Sequence, residues 1–355
     1  MTKALLSSAI APGGSLPDIA AAAASLKAAA NDKARRIQQI TGQVKMLALN
    51  ARIESSRAGE LGRGFTVVAN EVGTVGEHIA GLARELESDV NGRIVDLQNQ
   101  VARMAERAQG DRLVDLALNA IELIDRNLYE RTCDVRWWAT DAAVVDCAAG
   151  PDPDRAAFAG RRLGVILSAY TVYLDLWLCD LDGRVLANGR PERFPGVCGQ
   201  SVAHEPWFRS AVALASGDDY VAGDIRREER LGGAQVATYC ASVRAGGEAA
   251  GAPVGVLAIH FDWEPQARAI VQGIRVMPED RARTRVLLLD AGGRVIAASD
   301  GAGVLSERLA LRHDGSPSGC YRDPERRRAV AYHATPGYET YRGLGWYGVI
   351  LQSAP

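Results

Sequence analysis

Residues 43–72 read QVKMLALNARIESSRAGELGRGFTVVANEV. Three glycines, Gly59, Gly62 and Gly64, fall within this stretch. Glycines so closely spaced end a helix and permit a tight reversal. On the upstream side, Leu26, Ala30, the stem of Lys33, Ile37, Ile40, Val44, Leu47 and Ala51 alternate steps of four and three. That is a heptad seam. On the downstream side, Val68, Val72, Val75, Ile79, Leu82, Leu86, Val90, Ile94, Leu97, Val101 and Met104 do the same. Consecutive steps of four through Leu86–Val90–Ile94 form a stutter, which locally unwinds a supercoil. Two heptad arms joined by a glycine turn predict an antiparallel coiled-coil hairpin over 19–109. Each arm has about 40 residues and a length of about 60 Å.

The remainder of the chain bounds the function. Its 355 residues suit about two domains. Hydrophobic residues make up 47% and charged residues 24%, which excludes a wholly disordered chain. A net charge of -2 gives no basic field for nucleic acid. No apolar run reaches the roughly 18–20 residues of a membrane span. The N-terminal MTKALLSSAIAPGG is too weakly apolar for a secretory signal, and residues 1–18 read as a flexible tail. Six cysteines without a CxxC pair and five histidines without an HxxxH pair predict reduced thiols and no metal site. No phosphate loop, GxSxG elbow or strand-linked GxGxxG occurs, so neither an enzyme nor a cofactor is expected.

Past Gly110-Asp111 the spacing predicts a long helix over 113–149, with Asp111 near its N-cap, and a second helix over 154–170 capped by Asp152 or Asp154. The period then changes to two. In 172–178, Leu174, Leu176 and Leu178 alternate with Tyr173, Asp175 and Trp177. Asp182-Gly183 marks a hairpin turn. A helix over 206–214 and strands near 219–226, 235–244 and 254–263 follow. A similar hairpin restarts at 285–299, and later strands lie near 321, 329–333 and 346–352. The expected architecture is a mixed one. An antiparallel hairpin, which forms a four-helix bundle as a dimer, is followed by a long helix and two PAS-like antiparallel α+β modules, over 111–275 and 276–355.

The stretch LALNARIESSRAGELGRGFTVVANEV resembles the signalling tip of methyl-accepting chemotaxis receptors. The resemblance implies a homodimer, assembly into trimers of dimers, and contact with a chemotaxis histidine kinase and its coupling adaptor. By it, Met46, Leu49, Asn50, Ile53, Glu54 and Arg57 are trimer-contact positions. Glu60, Phe65, Val67 and Glu71 face kinase and adaptor. Gly42 departs from the pattern, where the family often carries an aromatic one turn before Met46.

The later part resembles a double Cache sensor through its hairpins and the segment HEPWFRSA. In such domains one sheet face packs on the long helix and the other lines a ligand pocket. The leucine faces then go to the helix. Tyr173, Asp175, Trp177, Tyr239, His260 and Asp262 are left for the pocket, bordered by Arg190, Arg193, Trp207, Tyr220 and Asp224. Glu205 stands where amino-acid-binding members carry a ligand-clamping arginine, so an amine or cation is the better-matched ligand. The combined expectation is a cytoplasmic, chemotaxis-type transducer that senses a small molecule and signals through its hairpin. The alternative is a ligand-binding protein whose hairpin only oligomerises it.

Overall fold

The computed structural model describes residues 16–354. Residues 1–15 of the expected tail lie outside the described residues, and 16–18 open the first helix. The chain divides into two compact units, Met1–Gln109 and Gly110–Pro355.

The first unit holds α1 (Leu16–Arg57), a 3-10 turn at Gly59–Gly62, and the first part of α2 (Arg63–Trp138). The two helices run antiparallel. Lys45 Nζ lies 3.6 Å from Glu77, and the Gly73 and Gly76 positions abut Ala48 and Lys45. The buried seam is not the stripe of large residues expected. It consists of Ala34, Thr41, Ala48, Ser55, Gly62, Ala69, Gly76 and Ala83, each seven residues from the last. Outside it the step lengthens to eleven in both arms, back to Ala23 and on to Ile94. The second of these steps falls on the stutter read in the sequence. Ala30, Ile37 and Val44, which were in the expected seam, are half-buried at its border. Leu47 is 68% and Leu82 64% exposed. The physical reason is distance: interaxial separation follows side-chain size, and small residues let two helices come closest. Gly62 sits hard against the chain, since a β-carbon there would collide with the Ser55 carbonyl oxygen.

Nor does the expected break at Gly110-Asp111 occur. One glycine amid good helix formers costs only about 1 kcal/mol, so α2 continues and Asp111 is mid-helix rather than a cap. The break comes later, at 139–141. There Asp141 accepts a hydrogen bond from the Ala143 amide and caps α3 (Ala142–Ala149). Asp152 caps α4 (Pro153–Ala169) in the same way, through the Arg155 amide.

In the second unit, two antiparallel sheets repeat one strand order. The first is β2-β1-β6-β5-β3, with β4 also on β5. Its strands are β1 (Tyr173–Cys179), β2 (Val185–Asn188), β3 (Val221–Ala222), β4 (Arg226–Glu228), β5 (Ala234–Arg244) and β6 (Pro253–Asp262). The second sheet is β8-β7-β11-β10-β9, built from β7 (Thr284–Leu289), β8 (Val295–Ala298), β9 (Ser318–Asp323), β10 (Arg328–Ala334) and β11 (Tyr347–Ser353). Helix α5 (Pro206–Val212) covers the outer face of the first sheet. Helix α6 (Trp263–Gly273), which the alternation through Trp263 concealed, follows β6 directly.

The main core joins both sheets to α2, α3 and α4. Ala117, Ile121, Ile124 and Leu128 on α2 pack with Leu176, Leu257, Ile259, Leu288 and Ile350. Two buried acids pin α2 to these modules. Asp125 accepts from Thr335 Oγ1 at 2.6 Å and the Gly337 amide at 2.9 Å. Asp134 accepts from Tyr173 Oη and from Arg131 Nε, the latter at 3.2 Å.

Candidate functional site

Strand alternation decides which side chains reach the outer face of the first sheet. On β6 it runs as the sequence implied: Leu257, Ile259 and Phe261 enter the helix-side core, and Ala258 joins the outer cluster with His260 on its face. On β1 a bulge between Tyr173 and Asp175 breaks the count. Tyr173 therefore joins the helix-side core and Leu174 the outer cluster, the reverse of the expectation. Tyr239 lies opposite Ile259 and shares its helix-side face, not that of His260. Tyr220 likewise packs against the helix-side core, with the Arg136 guanidinium 5.6 Å over its ring. Asp224 is exposed and accepts from its neighbour's amide, at Ile225.

Two candidates are committed internally. Asp175 is buried among five donors: the amides of Leu176, Gly189 and Arg190, the Trp177 indole at 3.0 Å and the Asn188 amide group at 2.8 Å. Arg190 turns its guanidinium onto the carbonyls of Tyr173, Leu174 and Leu167. Together they staple the bulge to the loop after β2, so neither is available to a ligand. Glu205 is also engaged, 3.1 Å from Arg230 Nη1. That pairing removes the reason to expect a cationic ligand there.

The outer face does bring Trp177, His260 and Trp207 together. His260 is fully buried, its ring 4.0 Å from that of Trp177 and 6.1 Å from that of Trp207. Its Nδ1 meets Thr238 Oγ1 at 3.1 Å. Burial, and then the guanidiniums of Arg226 and Arg230, hold its pKa well below the usual imidazole range, so the ring is neutral near pH 7. Glu228 lies 2.5 Å from Arg226 and 3.1 Å from Arg230. Among the described residues, His260 Nε2, Trp207 Nε1 and Arg226 Nη2 are buried without a hydrogen-bond partner, while Glu228 Oε2 is held in the ion pair with Arg226. Such orphans are uncommon and costly. Asp262, half-buried on the same face, has its carboxyl pKa raised by burial, with Arg193 and Arg190 opposing. Arg226, Glu228 and Arg230 escaped the sequence reading. Their only signal was a charge-rich run, RREER, which reads as a solvated turn.

At the tip of the hairpin, Met46, Leu49, Asn50, Ile53 and Arg57 occupy the side of α1 opposite Ala48 and Ser55, at 100° per residue. All are exposed, as are Glu54, Glu60, Val67 and Glu71. Glu54 pairs with Arg57 at 3.4 Å and Glu60 with Arg63 at 2.9 Å. Phe65 is 73% exposed and, with Leu47, Leu61 and Val68, lines an apolar groove of about 440 Å³.

Among the described residues, no helix is long and apolar enough to cross a membrane. Residues 19–132 match the family described as methyl-accepting chemotaxis protein (MCP) signalling domain. The match passes beyond the heptads read in the sequence, into the part of α2 that carries Asp125 and Arg131. Methyl-accepting chemotaxis protein HlyB of Vibrio cholerae is 40% identical over 85 residues, covering 24% of this chain and 16% of that protein. TlpA of Bacillus subtilis is 43% identical over 67 residues, covering 19% and 10%. The chain thus spans less than a fifth of the length of these curated relatives. Two solved structures share its fold. The ligand-binding domain of the Pseudomonas aeruginosa amino acid chemoreceptor PctC, in complex with GABA, has a TM-score of 0.51 at 17% identity and covers 68% of this chain and 99% of that one. The ligand-binding domain of the Pseudomonas fluorescens chemoreceptor CtaA, in complex with L-isoleucine, has a TM-score of 0.51 at 16% identity, covering 71% and 95%. The chain therefore joins a segment matching the chemotaxis signalling domain to the fold of chemoreceptor ligand-binding domains.

Proposed function

We propose that the protein is a chemotaxis-type transducer in which the outer face of the first sheet reads a small molecule and the hairpin reports it. The observation that carries the sensor reading is the group of buried, unpartnered polar atoms around His260. Trp207 and Arg226 offer donors, and His260 Nε2 a donor or an acceptor, according to tautomer. A small ligand with both a donor and an acceptor answers that set. Residues 43–72 and their match support the signalling reading. A second copy of the hairpin covers the exposed stripes at Leu47, Val68 and Leu82, giving a four-helix bundle. Met46, Leu49, Asn50, Ile53, Glu54 and Arg57 then meet neighbouring dimers. Glu60, Phe65, Val67 and Glu71 meet the histidine kinase and its adaptor. Between hairpin and sheets, α2 carries Arg103, Glu106, Arg107, Asp111, Arg112 and Asp115. These charges favour both units lying in one compartment, the cytoplasm where the kinase works. The protein performs no turnover in this reading.

The test has two arms. Metabolites are screened by thermal shift on the full chain and on His260→Gln, since binding to the native state raises Tm by mass action. A hit is then added to reconstituted kinase and adaptor. Transduction predicts a ligand-dependent change in kinase activity that Phe65→Ala abolishes while self-association persists. Ligand binding with kinase activity indifferent to the protein favours the alternative, in which the hairpin only oligomerises the chain.

A further inference from the structure

We propose that the second module holds a separate binding site for a small, soluble anion with more than one negative charge. It is the cleft of about 560 Å³ between the end of α6 and the strands β7, β10 and β11. Ligand sites commonly fall within about 300–1,000 Å³. No residue of the His260 cluster lines it.

Two basic stretches of the sequence converge there. The run RARTR supplies Arg281, Arg283 and Arg285, and the run RRR at 326–328 supplies Arg328. Among the lining residues Asp300 is the one carboxylate. Subtracting the internal pairs shows what is left over. Arg283 spends Nε and Nη2 on Asp280, at 3.1 and 2.7 Å, and Nη1 on the Ser353 carbonyl. Arg285 spends Nε on Asp300, Nη1 on Glu307 and Nη2 on the Ala302 carbonyl. Thr284 Oγ1 donates to the Asp280 carbonyl, and Ser299 Oγ accepts from the Val286 amide.

The remaining two arginines are the ones with spare donors. The Arg281 guanidinium makes no hydrogen bond or ion pair among the described residues, and it stands at the rim. Arg328 is half-buried; its Nε makes an ion pair with Asp323 at 3.6 Å but no hydrogen bond. The lining carboxylate is already taken by Arg285. A cleft whose one lining carboxylate is taken, and where Arg281 and Arg328 keep N–H groups that make no hydrogen bond, favours an anion. Each guanidinium fork matches a carboxylate or phosphate edge in planar, bidentate geometry. Two forks favour a ligand bearing two such groups.

The experiment is calorimetric titration of the full chain with pyrophosphate and, separately, with succinate, beside thermal shifts under the same conditions. At least one anion is expected to bind with a millimolar or tighter Kd and to raise Tm. The stronger of the two identifies the group preferred. Arg281→Ala disturbs no internal pair, and Arg328→Lys keeps the charge facing Asp323 while removing the fork. Together they are expected to weaken binding at least about tenfold with Tm unchanged in the absence of anion. Arg161→Ala, on α4, is expected to bind as the parent does. The proposal is overturned if neither anion binds, if the double variant binds as tightly as the parent, or if Arg161→Ala loses as much affinity as the double variant.

Discussion

The two units bury opposite kinds of residue. The second unit encloses its largest side chains, Trp177, Trp263 and Trp346 among them, and hides charged groups beside them. The hairpin encloses alanine, glycine, serine and threonine, and turns leucine, valine and phenylalanine outward. A unit that encloses its large side chains draws its stability from within. The hairpin gains little apolar burial from its own seam, at about 25 cal/mol per Å², and leaves many of its large apolar side chains exposed. Burial thus differs by unit: one encloses its large apolar side chains, the other leaves many of them exposed.

Four measurements sharpen or break this contrast. The largest effect is expected from Asp175→Ala, which strands five donors inside the second unit. Each buried unsatisfied group costs about 1–3 kcal/mol, so denaturant unfolding should show a loss of at least about 3 kcal/mol. A loss below about 1 kcal/mol would show that the staple at the bulge is not structural. Next comes Gly62→Ala. Its β-carbon meets the Ser55 carbonyl, and overpacking of this kind costs about 1–3 kcal/mol. Circular dichroism melts should show it in the hairpin helices with the tryptophan signal of the second unit unmoved.

The third is a pH dependence. His260 has its pKa lowered in the folded state, whereas the unfolded imidazole titrates near 6.5. Above that value the ring is neutral in both states and contributes no pH slope. Below it the unfolded chain takes up the proton first, so stability falls as pH falls, by at most about 1.4 kcal/mol per unit. Tm measured from about pH 7.5 to about pH 5.5 should fall less steeply in His260→Gln; equal slopes would mean the ring is not held neutral. The smallest effect belongs to Leu47→Ser. An exposed side chain of a lone hairpin should change stability within about 0.5 kcal/mol, while sedimentation shows weaker self-association. Destabilisation of several kcal/mol in dilute monomer would contradict the seam described here.

Much of this fold was legible because its signals are local. The glycine turn, the period-two strands, the Asp-Gly hairpin and the Asp152 cap each announce themselves within a few residues. The errors came from features that local patterns do not encode. Heptad spacing found the helices but assigned the seam to the bulky stripe, because periodicity marks apolar faces without saying which partner each face meets. The bulge before Asp175 shifted Tyr173 across the sheet, and nothing in the alternation marks it. Trp177, Trp207 and His260 were brought together as read. Tyr239 was not, since its face depends on register against Ile259. Arg226, Glu228 and Arg230 were passed over because a charge-rich turn reads as solvated until the fold closes over it.

The seven-residue spacing that crosses the turn also constrains how the hairpin can change in length. Ala34 to Ser55 on one arm and Gly62 to Ala83 on the other keep one register on both sides of the reversal. An insertion or deletion in one arm alone would slide small residues out from under their opposites and set a bulky one against the facing helix. Only balanced changes, one heptad added to or removed from each arm, leave the closest approach intact. Natural or engineered variants of this chain should therefore differ across the hairpin in steps of fourteen residues, centred on Gly59–Gly62.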